Sequence, residues 1–519
     1  MNNETPDTIK SMIRLFEESL GVRLVKTQPN SIFTSCLINL SKHLYFAGMA
    51  DVRIVGISDT TVDVETVIDS YRELTVKTSQ WRDSIKILAL PDRLAQARTA
   101  LAREVNTVII SDEDVSKMQH AKTLIAPLRI LFRNHLGPQR LSPYQSRGAV
   151  TGNRFFGRDL QISAITKHPE KSYLVTGTRM SGKTSLLLEA QRRLNEAGEI
   201  AICLDCKRFS SIAGLINGVL SELEVRDSFI KLERWESPQR WHEFFKYLRT
   251  ATKQAAKKHL HIFLDEYDSL VELETPGAAI SWNLRALHQS NSEQRGTVQF
   301  VFAGSRSLAS AARNNDSPFY NFVNPDDCFL DNFDLGIVKK VLDEPMRDLG
   351  IKIEEPDLAA EELLLETAGR PSSVQYLCSA LIKQLDATRQ NTVSLDMIRQ
   401  VVQSPEYHHY YQGIIFENSS HLERFILTIN SEKATFESGF TQESILAVAR
   451  NRYKLHFELR VVFEALDNLI KSGFIVLDRS VPGRYHIAAP VIRRICRVND
   501  PRSIVSDLVS TDIAININY

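Results

Sequence analysis

The feature that constrains this chain most is a glycine-rich stretch that joins a short apolar run to an amphipathic segment. Residues 173–188 read YLVTGTRMSGKTSLLL, in which Gly177, Gly182, Lys183 and Thr184 fit the pattern G-x-x-x-x-G-K-[ST]. The apolar run predicts a buried strand, and the residues after the pattern predict a helix. Glycines let successive backbone N–H groups turn toward one anion, and a helix N-terminus adds partial positive charge. The stretch therefore predicts a phosphate-binding loop.

The residue types of this loop predict a nucleoside triphosphate with Mg²⁺ as its ligand. Lys183 is expected to reach the β- and γ-phosphates, and the Thr184 hydroxyl is expected to help hold the metal ion. Backbone N–H groups supply the other contacts. The predicted nucleotide-binding residues of the loop are Gly177, Thr178, Arg179, Met180, Ser181, Gly182, Lys183, Thr184 and Ser185.

Bulk composition limits the other classes of function. The 519 residues are 43% apolar and 24% charged with a formal net charge of +0, so there is no general affinity for nucleic acid or anionic membrane. A chain of this length suggests about three to four domains. No apolar run could span a bilayer, the N-terminus lacks a signal segment, and the six cysteines are too few for a disulfide framework. We therefore expect a cytoplasmic protein with no membrane partner.

A second motif places two carboxylates at the end of an apolar strand. Residues 261–266 read HIFLDE. Asp265 is expected to bind the Mg²⁺ shell together with Thr184, and Glu266 to orient and deprotonate the water that attacks the γ-phosphate. Another predicted strand, residues 200–204, lies between the loop and this motif. That arrangement fits an ATPase core with an extra inserted strand.

A third strand, residues 298–303, ends in Gly304, Ser305 and Arg306. Because parallel strands end together on the ligand side of a sheet, a polar side chain here could contact the γ-phosphate. Arg306 is the first candidate for this catalytic contact and Ser305 the second. The alternative is a surface arginine that merely follows a strand.

The segment before the loop carries a resemblance to a known family. Residues 155–159 read FFGRD, and this box resembles the aromatic-Gly-Arg-acidic box of signal-transduction ATPases with numerous domains (STAND) and of related AAA-like ATPases from archaea and bacteria. The resemblance implies that Phe156, Gly157 and Arg158 lie near the adenine. It also favours Arg306 as the γ-phosphate contact, since these ATPases often place arginine there.

The resemblance extends to residue 385 and includes a helical lid. Residues 367–378 read TAGRPSSVQYLC, in which Gly369, Arg370 and Pro371 are similar to the Gly-x-Pro motif that begins a lid helix in this family. Proline suits an early helix position. The resemblance implies that Pro371 faces the nucleotide.

The first 135 residues predict a separate α/β domain with a parallel sheet, which acts as effector or sensor. Helices are expected over residues 9–20, 32–46, 64–74 and 94–103, and strands over 52–55, 85–90 and 107–110. Residues 85–115 loosely resemble the closing part of restriction-endonuclease-like domains. Nuclease chemistry would need an acidic-x-Lys triplet, and none is found. The acidic candidates are Asp51, Asp59, Asp63 and Glu65.

The C-terminal region predicts a winged helix-turn-helix domain. Helices are expected over residues 422–430, 441–453 and 457–472, followed by a hairpin of residues 474–477 and 485–487. Basic side chains that could contact DNA are Arg460, Lys471, Arg479 and Arg484, but acidic residues share the same helix. Packing on the nucleotide core and binding of DNA are both consistent with this pattern.

These observations predict six segments: an α/β domain (1–135), a linker (136–152), the P-loop ATPase core (153–335), a helical lid (336–416), the winged helix (417–500) and a tail (501–519). The hypothesis is an α/β ATPase that binds ATP or ADP with Mg²⁺ and acts as a molecular switch, as in bacterial or archaeal signalling or defence. Family resemblance implies a homo-oligomer on activation and an unidentified protein trigger. The alternatives are a DNA-binding ATPase that uses the winged helix, and an ATP-regulated nuclease.

Overall fold

The structure is a computed structural model, and it describes most of residues 7–510. The residues outside the description are 1–6, 21–25, 30, 31, 39, 41–43, 45–51, 58–60, 77–80, 82, 83, 122, 123, 146, 227–243, 245–247, 249–258, 272–280, 282, 283, 286–297, 305, 321, 325, 432–438, 499, 500 and 511–519. The chain divides into two compact units. The first comprises Met1–Tyr144, Val341–Ala359 and Tyr376–Val401, and the second comprises Gln145–Lys340, Ala360–Gln375 and Val402–Tyr519.

The first unit contains a five-stranded mixed sheet in the order β1-β2-β3-β4-β5. Strands β3, β4 and β5 are parallel, as the sequence predicts, whereas β1 and β2 are antiparallel additions. The elements are α1 Asp7–Leu20, β1 Lys26–Pro29, β2 Phe33–Ile38, β3 Val52–Ile57, α2 Val64–Val76, β4 Ile85–Ala89, α3 Ala95–Leu101, β5 Thr107–Ile110, α4 Asp112–Gln119 and α5 Ile125–Leu136.

The helix predicted over residues 32–46 is wrong, because Phe33–Ile38 forms strand β2. A short apolar run has no clear period, and here pairing with β3 along six residues decides its conformation. Of the acidic candidates for nuclease chemistry, Asp63 has an ordinary structural role. Asp63 accepts hydrogen bonds from the backbone N–H and the hydroxyl of Thr66, at 3.0 and 2.7 Å, and so caps α2. Asp51 and Asp59 lie outside the described residues.

The second unit is built on a five-stranded parallel sheet in the order β10-β6-β9-β8-β7. Apolar side chains on both faces of this sheet are buried against helices, which gives the continuous hydrophobic strands of a doubly covered parallel sheet. The elements are α6 Asp159–Lys167, β6 Tyr173–Thr176, α7 Lys183–Glu196, β7 Ile200–Asp205, α8 Ile212–Arg226, β8 Leu260–Asp265, α9 Asp268–Val271, β9 Val298–Ala303, α10 Arg306–Arg313 and β10 Cys328–Phe329.

The rest of the chain is mostly helical. The elements that follow the core are α11 Leu335–Asp348, β11 Lys352–Ile353, α12 Pro356–Thr367, α13 Pro371–Thr388, β12 Thr392–Val393, α14 Leu395–Val402, α15 Pro405–Asn418, α16 His421–Ser431, β13 Phe440–Thr441, α17 Gln442–Tyr453, α18 Leu459–Lys471, β14 Ile475–Leu477, β15 Arg484–Ile487, α19 Pro490–Val498 and α20 Pro501–Ser510. Three helices followed by a hairpin occur in the predicted order. None of the helices in the described part of the chain is long and apolar enough to cross a membrane.

Candidate functional site

The glycine-rich loop lies between β6 and α7, as the sequence predicts. Its backbone has left-handed conformations at Met180, with φ 65°, and at Gly182, with φ 99°. Gly182 is the N-cap of α7, so the free N–H groups of the first helical turn point toward the loop. A Cβ at Gly177 would lie 2.6 Å from the Ser181 hydroxyl oxygen. The loop therefore has the shape of an anion cradle that a side chain at Gly177 would disturb.

Lys183 is buried at the first position of α7. Its ammonium group donates to the carbonyl oxygens of Gly177 at 3.1 Å and of Thr178 at 3.0 Å. Burial lowers the pKa of Lys183, although the nearby carboxylates of Glu266 and Asp265 oppose that shift. A buried ammonium with two neutral acceptors can gain from contact with an anion.

Thr184 and Asp265 meet at the carboxyl edge of the parallel sheet. The Thr184 hydroxyl donates to Asp265 Oδ2 at 2.6 Å, and the backbone N–H of Glu266 donates to Asp265 Oδ1 at 3.0 Å. Burial raises the pKa of Asp265. A hydroxyl and a carboxylate side by side are hard oxygen ligands, and Mg²⁺ commonly binds one or two such groups together with waters and phosphates. The two residues therefore fit the predicted Mg²⁺ site.

Glu266 follows Asp265 in a left-handed conformation, with φ 51°. Its carboxylate is half-exposed, and Oε2 lies 2.8 Å from the ammonium group of Lys207, just after β7. The sequence predicts the position of Glu266 but not this partner, because nothing in the order of residues pairs the ends of β7 and β8. The side chain of Glu266 lies beside the cavity that the loop borders.

A cavity of about 320 Å³ borders the loop. Two parts of its wall come from elsewhere in the chain: residues 145–156, here called the wall segment, and the start of α13. The lining residues are Gln145, Gly148, Ala149, Val150, Arg154, Phe155, Phe156, Arg158, Arg179, Met180, Ser181, Gly182, Lys183, Thr184, Ser185, Glu266, Phe333, Pro371, Ser372 and Gln375.

Hydrogen bonds hold the wall segment against helices α7 and α13. The Val150 N–H donates to the Ser185 hydroxyl at 3.1 Å, and the Gly152 N–H donates to Glu189 Oε2 at 2.8 Å. At the other end, the Gln145 N–H donates to Gln375 Oε1 at 3.2 Å. The sequence interpretation of residues 136–152 as a linker did not include this role. Its glycines and polar residues carry no signal for contacts with two distant helices.

Arg158 lines the cavity, but the hydrogen bonds of its guanidinium group go to protein. Its guanidinium group donates to the carbonyl oxygens of Asp331 at 2.5 Å and Ser181 at 3.4 Å, and its Cζ lies 5.0 Å from the ring centroid of Phe333. Burial lowers the pKa of Arg158 to about 10. Gly157 has φ 69°, and a Cβ there would lie 2.4 Å from Ile337. Arg158 therefore supports the loop through Ser181.

The remaining predicted residues have mixed outcomes. Phe156 and Pro371 line the cavity. Gly177, Thr178 and Asp265 do not line it, but they accept hydrogen bonds from its lining residues Lys183 and Thr184. Helix α10 begins at Arg306, but the side chain of Arg306 and the whole of Ser305 lie outside the described residues. Contact of Arg306 with the γ-phosphate therefore stays a prediction.

Comparison with known proteins bears on the fold of this core. A family described as "AAA domain" matches residues 166–311. A Walker-type ATPase of Pyrococcus abyssi is 17% identical, with a TM-score of 0.50 over 68% of this chain and 99% of that chain. This core has the fold of a P-loop ATPase.

Two further solved structures have lower TM-scores. The ORC2 protein of Aeropyrum pernix in its ADPNP–ADP complexes is 13% identical, with a TM-score of 0.49 over 70% of this chain and 98% of that chain. A RuvB variant of Thermotoga maritima is 15% identical, with a TM-score of 0.35 over 64% of this chain and 92% of that chain. Among curated proteins, no significant match is found.

The start of α13 connects the P-loop ATPase core to the C-terminal region. Arg370, immediately before the cavity residue Pro371, is 1% exposed. Its guanidinium group donates to the carbonyl oxygens of Ser472 and, at 3.4 Å, of Arg179, and lies over the ring of Phe474 at 4.9 Å. The sequence identifies Arg370 within the Gly-x-Pro motif but does not reveal its contact with Ser472 and Phe474.

Proposed function

We propose that this chain is a Mg²⁺-dependent ATPase that acts as a nucleotide-controlled switch. The observation that carries the proposal is the 2.6 Å hydrogen bond between Thr184 and Asp265 beside the phosphate loop, where Lys183 and Glu266 line the same cavity. Four groups that phosphoryl transfer needs are thus at one edge of the sheet: two oxygen ligands, a cation and a carboxylate base.

Each residue of this set has a defined task in the proposal. Lys183 and the backbone N–H groups of the loop bind the β- and γ-phosphates, and Thr184 and Asp265 hold the metal ion. Bound Mg²⁺ would neutralise charge that develops on the phosphate oxygens. Glu266 orients a water for in-line attack and accepts its proton. In the conformation described here Lys207 occupies one oxygen of Glu266, so this ion pair competes with water for the carboxylate.

The switch part of the proposal rests on contacts around residues 366–372 of the lid. Glu366 accepts two hydrogen bonds from the guanidinium group of Arg494, at 2.5 and 3.2 Å. The hydroxyls of Tyr407 and Tyr411 donate to the carbonyl oxygens of Glu366 and Thr367, at 3.3 and 3.2 Å. Together with Arg370, these contacts join the residues that line the nucleotide cavity to the C-terminal region. A nucleotide that moves Pro371 would therefore disturb them.

We assign the C-terminal region to a winged helix that packs on the core rather than one that reads DNA. Helix α18 would be its recognition helix, and its exposed face does not concentrate positive charge. Arg460 pairs with Glu464 at 2.8 Å on this face, and the large apolar side chains of Leu459 and Phe463 are 64% and 58% exposed. DNA binding needs a basic face. The N-terminal α/β domain, for which the sequence suggests an effector or sensor role, and assembly into a homo-oligomer on activation remain parts of the proposal.

The chemistry is tested with two variants and a control. Lys183→Ala should weaken binding of a fluorescent ATP analogue by about 100-fold, because it loses charge-assisted contacts worth about 3 kcal/mol. Glu266→Gln should bind ATP normally but release phosphate about 10²–10⁴ times more slowly, the usual contribution of a general base. Lys167→Ala, an exposed change at the end of α6, is the matched control. If both site variants hydrolyse ATP like the parent, the proposal is wrong.

A further inference from the structure

The turn after β8 carries Glu266 and is anchored to the neighbouring strand β9. The Tyr267 N–H donates to the carbonyl oxygen of Ala303, the last residue of β9, at 2.9 Å. The ring of Tyr267 is buried against the rings of Phe302 and Phe319. Glu266 itself has φ 51°, a conformation that a residue other than glycine keeps only where its surroundings enforce it. The position of the Glu266 carboxylate therefore depends on how its neighbours are held.

Asp268, two residues after Glu266, provides a second anchor. Its Oδ1 accepts a hydrogen bond from the Leu308 N–H at 3.2 Å. Leu308 is the third residue of α10, and the N–H groups of a first helical turn have no partner within the helix. A side-chain oxygen that accepts from such an N–H acts as a cap, and loss of a cap costs about 0.5–2 kcal/mol. The Asp268 cap therefore ties the turn of Glu266 to the start of α10.

The end of β9 leaves room for this carboxylate. A Cβ at Gly304 would lie 2.5 Å from Asp268 Oδ2. The backbone of Gly304 is not left-handed, so close contact rather than conformation excludes a side chain here. The Gly304 N–H also donates to the Val175 carbonyl oxygen of β6 at 3.2 Å, which holds this point against the sheet. Even alanine at residue 304 would therefore displace the Asp268 carboxylate.

Asp268 also acts on Lys183 through its charge. Burial lowers the pKa of Lys183, and the carboxylates of Glu266, Asp265 and Asp268 oppose that shift. The two possible roles of Asp268 make different demands on its side chain. A role through charge needs a carboxylate, whereas a role through the hydrogen bond to Leu308 needs only an acceptor. Asparagine caps helices about as well as aspartate, so it separates the two roles.

We propose that Asp268 is a positioning residue for Glu266. The cap on Leu308 and the bond between Tyr267 and Ala303 hold the turn at two points, and the Glu266 side chain stays beside the cavity. A displacement of about 1 Å at a reacting group can cost about 100-fold in rate. The inference rests on the proposed function, since it takes Glu266 as the base. It adds that residue 268 sets the rate of hydrolysis and not the affinity for nucleotide.

The first test compares kcat, KM and the Kd of a fluorescent ADP analogue. Asp268→Ala should lower kcat by about 10- to 100-fold and leave KM and Kd unchanged, because only the turn of Glu266 is displaced. Asp268→Asn should stay within about fivefold of the parent, because it keeps the acceptor for Leu308. Asp63→Ala is the matched control, since it removes an aspartate cap from α2 and should leave kcat unchanged. An Asp268→Asn chain as slow as Asp268→Ala would overturn the proposal.

The second test keeps the carboxylate and displaces it. Gly304→Ala should lower kcat by at least about tenfold with KM unchanged, which also covers the case in which Asp268→Ala does not fold. In single-turnover reactions, Asp268→Ala or Gly304→Ala should cause no further loss in a Glu266→Gln chain, because the group that Asp268 positions is already absent. Additive losses beside a normal defect of Glu266→Gln would overturn this inference alone. A Glu266→Gln chain that hydrolyses ATP like the parent would overturn the proposed function and this inference with it.

Discussion

The contact of Arg370 with the C-terminal region gives the sharpest test of how the nucleotide cavity communicates with the rest of the second unit. The perturbation is Arg370→Met, which keeps a long side chain but removes every donor. In the parent the guanidinium group lies between the Ser472 carbonyl and the ring of Phe474. The change leaves a buried carbonyl without this donor and removes a desolvated cation–π contact.

The magnitude follows from these two losses. An unsatisfied buried acceptor costs about 1–3 kcal/mol, and a desolvated cation–π contact is worth about 2 kcal/mol. Methionine recovers part of this, because its apolar side chain needs no partners in the interior. We therefore expect local opening of the segment at Gly473 and Phe474 to become about 2–3 kcal/mol easier, which is about 30- to 150-fold in the opening equilibrium.

Hydrogen exchange measures this opening directly. The Gly473 and Phe474 amides donate to the carbonyls of Ile470 and Leu469 at 2.8 and 3.0 Å, so their exchange reports on it. The control is Arg424→Met, which removes a stacked arginine from the half-exposed ring of Phe416, 4.7 Å away. An exposed pair of this kind is worth about 0.5–1 kcal/mol, so exchange near Phe416 should rise less than about tenfold.

Two results would refute this reasoning. The first is an Arg370→Met chain whose amides at residues 473–474 exchange like those of the parent. The second is an equal effect of Arg370→Met and Arg424→Met, each on its own segment. In either case burial and hydrogen bonding of Arg370 would not stabilise the contact, and the C-terminal region would not be linked to the cavity through this residue.

Two further predictions concern the core. Asp265→Asn should raise the free energy of unfolding by on the order of 1 kcal/mol at neutral pH while it abolishes Mg²⁺-dependent hydrolysis, because burial raises the pKa of Asp265 and charge there is costly. Since the pKa of Asp265 is higher in the folded than in the unfolded state, the gain in unfolding free energy should shrink as the pH falls through the folded pKa and vanish below the unfolded pKa. Urea denaturation at several pH values measures this gain. A gain that grows in acid would contradict the prediction. Lys207→Ala should raise the steady-state rate of phosphate release by up to about fivefold, since opening a half-exposed ion pair costs about 0–1 kcal/mol; a lower rate would mean that Lys207 assists Glu266.

The sequence predicts the core well because its elements are locally determined. The apolar runs before Gly177, Glu266 and Gly304 are strands in the structure, and the loop and its helix lie where the glycines and the lysine require. The two carboxylates follow β8 at the ligand edge, since parallel strands end together. Phe33–Ile38 is the clear failure, because an apolar run of that length is compatible with either a helix or a strand until its neighbours are known.

The contacts that complete the site could not be predicted in the same way. Lys207 reaches Glu266 only because β7 and β8 are adjacent and in register, with Asp205 beside Asp265. Gln145 and Val150 line the cavity because distant residues of α13 and α7 accept their N–H groups. Such contacts depend on the position of whole elements rather than on local composition. A polar stretch with glycine and proline looks the same whether it crosses solvent or borders a ligand.

The walls of the cavity differ in how firmly they are held, and this difference bears on which wall moves when nucleotide binds. The loop has left-handed residues and an internal lysine, and Arg158 supports it from outside, so its shape is fixed by several independent contacts. The opposite wall begins at Pro371 and is tied to the wall segment by a hydrogen bond of 3.2 Å between Gln145 and Gln375. A neutral hydrogen bond contributes about 1 kcal/mol. Separation of the wall segment from α13 therefore costs less than deformation of the loop, and Arg370 lies on the α13 side of that contact.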